Sequence, residues 1–361
     1  MNPDDVAALG EARDHREVEA LLSFCRECLE RKGYPPAYAE TTAFALVEAD
    51  ARGIFTHGAA GGTGLDEALA RTGVAATVDV AAVPRRLEQR YPTIGVIDAR
   101  GAPGHYTSRM AIEWVRELAG THGMAKVYVF DANHFGAAVG RKHRLGTNPD
   151  AYCIPYRDGF FTIDMANTEL AASLCYKYFK EGIASGVTRM LAIPNYVADE
   201  DYRPTFDPSR VMRLRDGKFT MPGSVFPYGG LRGYKGQIQL QRIEADHSFA
   251  GGPIEAVDVG STGQRRISHA FEAQAIDFLY TREAALKRMA SLVTDWSACA
   301  GPATRMPGER SHLAREYSLR HGIPYTNEQI QALRRCGASL HVDFERVPAS
   351  AKPYPKNLFT K

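Results

Sequence analysis

The sequence predicts a mixed α/β protein in which helices from the two ends of the chain pack together around an inserted mixed domain. Three observations predict this. Apolar residues at helical spacing dominate residues 17–52, a helical pattern runs straight into a short buried strand over 108–132, and helical spacing returns at 282–300 and 326–336. The implied boundaries are 1–75 packing with 282–361, and 76–281 as the mixed α/β part. At 361 residues the chain is long enough to bury a large core.

Taken in order, residues 17–33 read as an amphipathic helix. Val18, Leu21, Leu22, Cys25, Cys28 and Leu29 fall on one stripe, so the Cys25–Cys28 pair is read as core packing rather than a metal or redox motif. A second helix spans about 37–52, with Pro36 suited to its first turn and Gly53 ending it. ATVDVAAV (76–83) and TIGVIDA (93–99) alternate and carry β-branched residues, which predicts strands. SRMAIEWVRELAGTHG (108–123) is helical with a glycine stop and feeds KVYVFDA (126–132), a buried strand. FFTIDM (160–165) is a further apolar strand. The centre, 185–230, is proline-rich and loop-like, and 233–252 forms another element between glycine clusters.

Composition narrows the function classes. Lys and Arg total 44 against 42 Asp and Glu, a net charge of +2, which gives no general pull toward nucleic acid or membrane. No apolar run approaches a bilayer span. The N-terminal stretch is mixed-charge without an apolar signal core, so a cytoplasmic protein is expected. Six scattered cysteines do not make a disulfide framework, and the eleven histidines show no metal-ligand spacing.

Several short stretches carry side chains suited to chemistry. There is no P-loop, and GGTGLDEAL (61–69) lacks the final glycine of a dinucleotide fingerprint, so any dinucleotide is held by another architecture. In RGIFTHGAAGG (52–62), His57 follows a helix end between Thr56 and a glycine. It suits a general acid oriented by Thr56, or a loop histidine that caps the helix. His134 follows a strand, with Phe135 and Gly136 next, where a ring and a bare backbone admit a planar ligand. Asp164 ends a strand; it either holds a histidine ring or caps a helix starting near Asn167. Lys235 and Gly236 sit in a turn, where the lysine reaches a phosphate or ribose, or is solvated. PGER (307–310) opens a helix.

The order of these stretches is more specific than any one of them. LVEADARGIFTHG, VFDANHFG, GTNP, FTIDMA, the P-T-F-D-P segment, GYKG, and PGER followed by GIP resemble the malate/L-lactate dehydrogenase-like oxidoreductases, from about residue 17 to about 336. The resemblance implies a non-Rossmann nicotinamide-binding fold with a mixed or antiparallel sheet. It implies NADH or NADPH as cofactor, a homodimer, and reversible reduction of a C=O or C=N bond in a 2-keto or 2-imino acid. It also implies roles for residues. His57 with Thr56, His134 and Asp164 match the catalytic positions, with either histidine as the acid. Phe135, Gly136, Ile163, Met165, Ala166, Lys235, Gly236, Pro307, Gly308 and Glu309 match segments that contact the cofactor.

Two departures from that pattern stand out. The family's arginine four residues after the first histidine, suited to forked recognition of a substrate carboxylate, is Gly61 here. Only nine residues, Ala137 to Leu145, separate HFG from GTNP, too few for the helix, strand and loop expected there. Arg141 and Arg144 in this connector could meet the substrate or a cofactor phosphate, or be solvated. Two other functions stay open: a non-catalytic relative that binds a small molecule, and an isomerase or cyclase without hydride transfer.

Overall fold

The structure, a computed structural model, describes residues 14–61, 64–70, 78–132, 150–156, 159–192, 196–215, 218–226, 267–300 and 306–350. Strand β1 (Asp14–Arg16) leads into α1 (Val18–Arg31), which Glu17 caps by accepting the Glu19 and Ala20 N–H groups. Its buried side chains are Leu21, Cys25, Cys28 and Leu29 of the predicted stripe together with Phe24, while Val18 and Leu22 are half-buried. Each large apolar side chain taken out of water there contributes about 1.5–3 kcal/mol. Helix α2 (Pro36–Ala51) opens with proline where the missing N–H costs nothing. It buries nine residues spread around its circumference, from Tyr38 to Ala51, because it runs through the middle of a core rather than over its surface. A short helix, α3 (Leu65–Ala70), completes this group.

Strand β2 (Ile94–Asp98), helix α4 (Gly104–His122) and strand β3 (Met124–Ala132) form a βαβ unit in which the two strands pair in parallel. Residues 78–83 correct an expectation: among the described residues of that predicted strand there is only a turn, in which Asp79 Oδ1 accepts the Ala81 N–H and the Asp79 N–H bonds Gly101 O. An aspartate that satisfies its own backbone competes with the ladder, and it prevails over the β-branched neighbours.

Strands β4 (Asp150–Tyr156) and β5 (Gly159–Met165) form an antiparallel hairpin. Helix α5 (Ala172–Ser185) follows and closes on Gly186 in the left-handed conformation. It therefore starts well beyond Asn167, and Asp164 caps no helix there, which removes the capping alternative for that carboxylate. The stretch expected to be loop-like contains two- and three-residue strands and a 3₁₀ turn (Pro208–Arg210) around a small core of Tyr178, Val197, Val211 and Val225.

Strand β6 (Ile267–Gln274) pairs antiparallel with β3, so the four-stranded sheet runs β6-β3-β2 with the two-residue strand Arg85–Arg86 at its edge. Helices α6 (Arg282–Ala300) and α7 (Glu309–His321), strand β7 (Ile323–Tyr325), helix α8 (Asn327–Ser339) and strand β8 (Ala349–Ser350) complete the described fold. A capping box at Thr326 and Gln329 starts α8. Strand β1 lies between β7 and β8 in a three-stranded sheet. Side chains of α1, α2, β7 and α8 share one buried cluster.

Candidate active site

Helix α2 ends at Ala51 with Arg52 as its cap, and Gly53 at φ +75 turns the chain away. The Gly53 N–H bonds Asp50 O and the Ile54 N–H bonds Ala49 O, so backbone groups close the helix and the His57 ring does not cap it. The His57 N–H bonds Ile54 O at 3.0 Å, and its exposed ring places Nδ1 2.9 Å from Thr56 Oγ1. That pairing fits the orienting role expected of Thr56.

Asp50 holds the far side of this loop. It is completely buried, and Oδ2 accepts the Ala59 N–H at 2.7 Å and the Tyr325 hydroxyl at 2.5 Å. The loop is wound so closely that side chains are excluded at Gly58, Gly61 and Gly64. A Cβ on Gly58 would lie 1.7 Å from Asp50 Oδ1, and one on Gly61 would lie 2.3 Å from Phe55 O and 2.8 Å from Thr56 O. Gly58, Gly61 and Gly64 are thus explained by a compact coil and not by a phosphate cradle. At position 61 the same crowding leaves no room for an arginine without rebuilding the loop.

Burial pushes the Asp50 carboxyl up to about 7, against the opposing pull of the Tyr325 hydroxyl and the Ala59 and Ala60 amides. Burial, reinforced by Asp50, also drives Tyr325 far above the ordinary phenol range. Sequence reasoning missed both residues. A signal for Asp50 was present: Ala43, Leu46, Val47 and Asp50 follow one another at helical spacing on a buried stripe. An acid there is in apolar surroundings and at the helix end whose dipole disfavours it. No local signal marks Tyr325, since its partner is 275 residues away in sequence.

Helix α7 links this loop to the Asp164 strand. Near its middle, Ala314 packs against Gly53, Arg315 Nε bonds Glu48 Oε1 at 2.6 Å, and Ser318 Oγ donates to Ala51 O at 3.0 Å. At its start, Pro307 O accepts the Thr162 N–H at 3.3 Å, and Gly308 at φ +85 approaches so closely that a Cβ would lie 2.9 Å from Thr162 Cβ. Glu309 Oε2 accepts the Met306 N–H, tightening that first turn. From Gly308 to Ala314 is about 9 Å along a helix. The structure therefore brings Pro307, Gly308 and Glu309 beside the FTIDMA strand and sets the His57 loop one and a half turns further along the same helix.

On that strand, register and alternation put Asp164 on the face of Thr162, Cys153 and Ala151, with Ile163 and Met165 on the opposite face beside Tyr152. Asp164 is exposed, Met165 is 41% exposed, and Ala166 follows half-buried. Asp164 makes no hydrogen bond to His57, whose ring partner is Thr56. His134, Phe135, Gly136, Arg141, Arg144, Lys235 and Gly236 lie outside the described residues. Among the described residues no helix is long and apolar enough to cross a membrane.

Comparison with known proteins matches the model of the malate/L-lactate dehydrogenase family in two pieces, residues 17–139 and 137–334. The pieces meet within the short connector that begins at Ala137. The chain is similar to the L-sulfolactate dehydrogenase of Methanothermobacter thermautotrophicus, with 25% identity over 60% of this chain and 65% of that protein. It is also similar to the ureidoglycolate dehydrogenase (NAD(+)) of Escherichia coli K12, with 27% identity over 55% of this chain and 60% of that protein. The chain thus spans less than two thirds of each of these curated relatives. In three dimensions it resembles the malate dehydrogenase of Pyrococcus horikoshii OT3 with a TM-score of 0.75 and 20% identity, over 92% of this chain and 97% of that one.

Proposed function

The chain belongs to the malate/L-lactate dehydrogenase family, and on that premise we propose that it is an NAD(P)-dependent oxidoreductase acting on a C=O or C=N bond of a 2-keto or 2-imino acid-like small molecule. The observation that carries this reading is the His57 loop: an exposed imidazole, fixed by Thr56 on its Nδ1 side, on a loop anchored to the buried core. A protonated His57 donates Nδ1–H to Thr56 Oγ1 and presents Nε2–H outward. Giving that proton to the forming alkoxide or amine leaves the neutral ring still held by Thr56. In reverse, the neutral ring takes the proton from a hydroxyl or amine.

When bound, NADH or NADPH would supply the hydride. Its flat ring would suit the apolar strand face of Ile163 and Met165, with Ala166 beside it, while the Pro307–Glu309 turn packs against Thr162 of the same strand. His134, Phe135, Gly136, Lys235 and Gly236 would complete the site. The relative named for NAD(+) supports this class of cofactor.

The substrate is a specialised one. The loop around Gly61 excludes the side chain that would clamp a simple 2-keto acid, so Arg141 or Arg144 serves the carboxylate, or the substrate carries none at that position. We place the protein in the cytoplasm as a homodimer. The exposed apolar side chains Leu292 and Trp296 of α6 support a covered face there. The domain division at residues 75 and 281 belongs to the same proposal.

Titration of NADH and NADPH, followed by fluorescence and thermal shift, tests the reading, since a ligand that binds the folded state raises its melting temperature. A shift with one dinucleotide supports it, and no shift with either overturns it. A shift without turnover on any 2-keto or 2-imino acid would point to the non-catalytic relative, for which the lost clamp at Gly61 is the supporting observation.

A further inference from the structure

We infer that Asp50 is the positioning residue of the active-site loop, with the Tyr325 hydroxyl locking its carboxyl from the opposite end of the chain. The inference rests on the reading of His57 as the proton-transferring group and extends it to residues that touch neither substrate nor cofactor.

The case stands on geometry. His57 lies between two anchors. Before it, the loop hangs on the end of α2 through Ile54 N–H to Ala49 O and His57 N–H to Ile54 O. After it, the Ala59 N–H donates to Asp50 Oδ2, and Gly58 passes so close to the carboxyl that a Cβ there would lie 1.7 Å from Oδ1. The carboxyl thus fixes the second residue after the imidazole by a hydrogen bond and leaves room only for glycine at the first. Tyr325 donates to the same oxygen, so the carboxyl cannot rotate toward another partner without breaking two hydrogen bonds.

Tyr325 is itself held by β7, whose register places it opposite Asp14 of β1. Phe55, two residues before His57, packs edge-on against the Tyr325 ring with centroids 6.1 Å apart. Strand β7 therefore supports the loop on both sides of the imidazole. A purely structural role predicts a different residue. A carboxyl in the last turn of a helix opposes the helix dipole, and burying it is costly. An apolar side chain would fill that stripe of α2 at less cost. What an apolar side chain cannot supply here is an acceptor for the loop amide and the phenol together.

The test measures the His57 ring directly, by long-range ¹H–¹⁵N NMR of the full-length protein, together with steady-state turnover. Tyr325→Phe keeps the ring and removes only the lock. It is expected to shift the His57 ring resonances and lower kcat about tenfold while cofactor affinity holds. Asp50→Ala is expected to move the same resonances further and lower kcat about a hundredfold, the scale of a misplacement of about 1 Å. Asp50→Asn, which keeps one acceptor oxygen, should fall between them. If Asp50→Ala does not fold, Tyr325→Phe and Asp50→Asn carry the test. Wild-type His57 resonances in folded Tyr325→Phe and Asp50→Asn would overturn the inference. The resonances do not depend on turnover: a wild-type protein without dehydrogenase activity would sink the functional reading and leave this arm able to decide.

Discussion

The two halves of the site are held in opposite ways. The His57 loop is tied to the interior through a completely buried carboxyl, a buried phenol from β7 and the Gly53–Ala314 contact with α7, which also bonds the end of α2 at Glu48 and Ala51. The β4–β5 hairpin that carries Asp164 turns much of its apolar surface outward, with Tyr152, Phe160 and Met165 all exposed, and meets α7 through the Thr162–Pro307 bond and the Gly308 contact. The difference matches what the proposed function asks of each half. A proton delivered by His57 over a hydrogen-bond length needs a rigid donor. A cofactor received on the hairpin has to be admitted and released, which an open surface allows. Rigidity near His57 is therefore expected to show in chemistry and stability, and substitutions on the hairpin chiefly in ligand affinity.

The largest expected effect falls on turnover. His57→Ala lowers kcat by about 10²–10⁴, or roughly 3–5 kcal/mol of barrier, and Asp164→Asn lowers it less. If Asp164→Asn proves the more severe, the comparison reverses and His134, held by Asp164, becomes the acid.

Next comes the pH dependence of stability. The folded Asp50 carboxyl titrates at about 7 against 3.8 for an unperturbed one, so the folded state holds the extra proton between those values. The groups facing it are the Cys25 thiol of α1, itself pushed well up by burial, the Tyr325 phenol, and the loop amides. Asp50 therefore contributes most below about pH 4, and the contribution is lost as pH rises through 7. Wild type should lose up to about 4 kcal/mol relative to Asp50→Asn across that window. Denaturant unfolding of both proteins at pH 4.5, 6 and 8 checks this, and parallel stability curves would refute it.

Gly58→Ala forces a methyl group onto the Asp50 carboxyl and should cost about 1–3 kcal/mol together with most of the activity. Gly308→Ala meets both a left-handed backbone and Thr162, and should cost about 1–2 kcal/mol while weakening dinucleotide binding more than kcat. Phe160→Ser, at a side chain 61% exposed, should change stability by no more than about 0.5 kcal/mol. A larger loss would show that the hairpin is covered and that the contrast between the two halves is overstated.

Local pattern read well where one physical effect dominated. The apolar stripe of α1 and the helix–strand passage from α4 into β3 follow from periodicity, because a helix needs one buried face and a short strand between turns needs two. Pattern failed at 78–83, where one aspartate capping its own turn overrode β-branched propensity. For the proposed site, residue types and their order made His57, Thr56, Asp164 and the Pro307–Glu309 turn candidates, since an imidazole after a helix end or a glycine opening a helix is a local event. Their relative placement was not legible. That α7 carries the Thr162 contact at its start and the Gly53 contact in its middle depends on how the helix packs.

By itself the sequence determined the family, the helices with a single apolar stripe and the chemical groups available for proton transfer, because each is written in neighbouring residues or in their order. Only the tertiary structure decided that a buried aspartate and a tyrosine 275 positions apart hold the loop carrying the imidazole, and that Gly61 has no space for a side chain. Both are contacts across the fold, and a contact of that kind exists only once the intervening chain has packed.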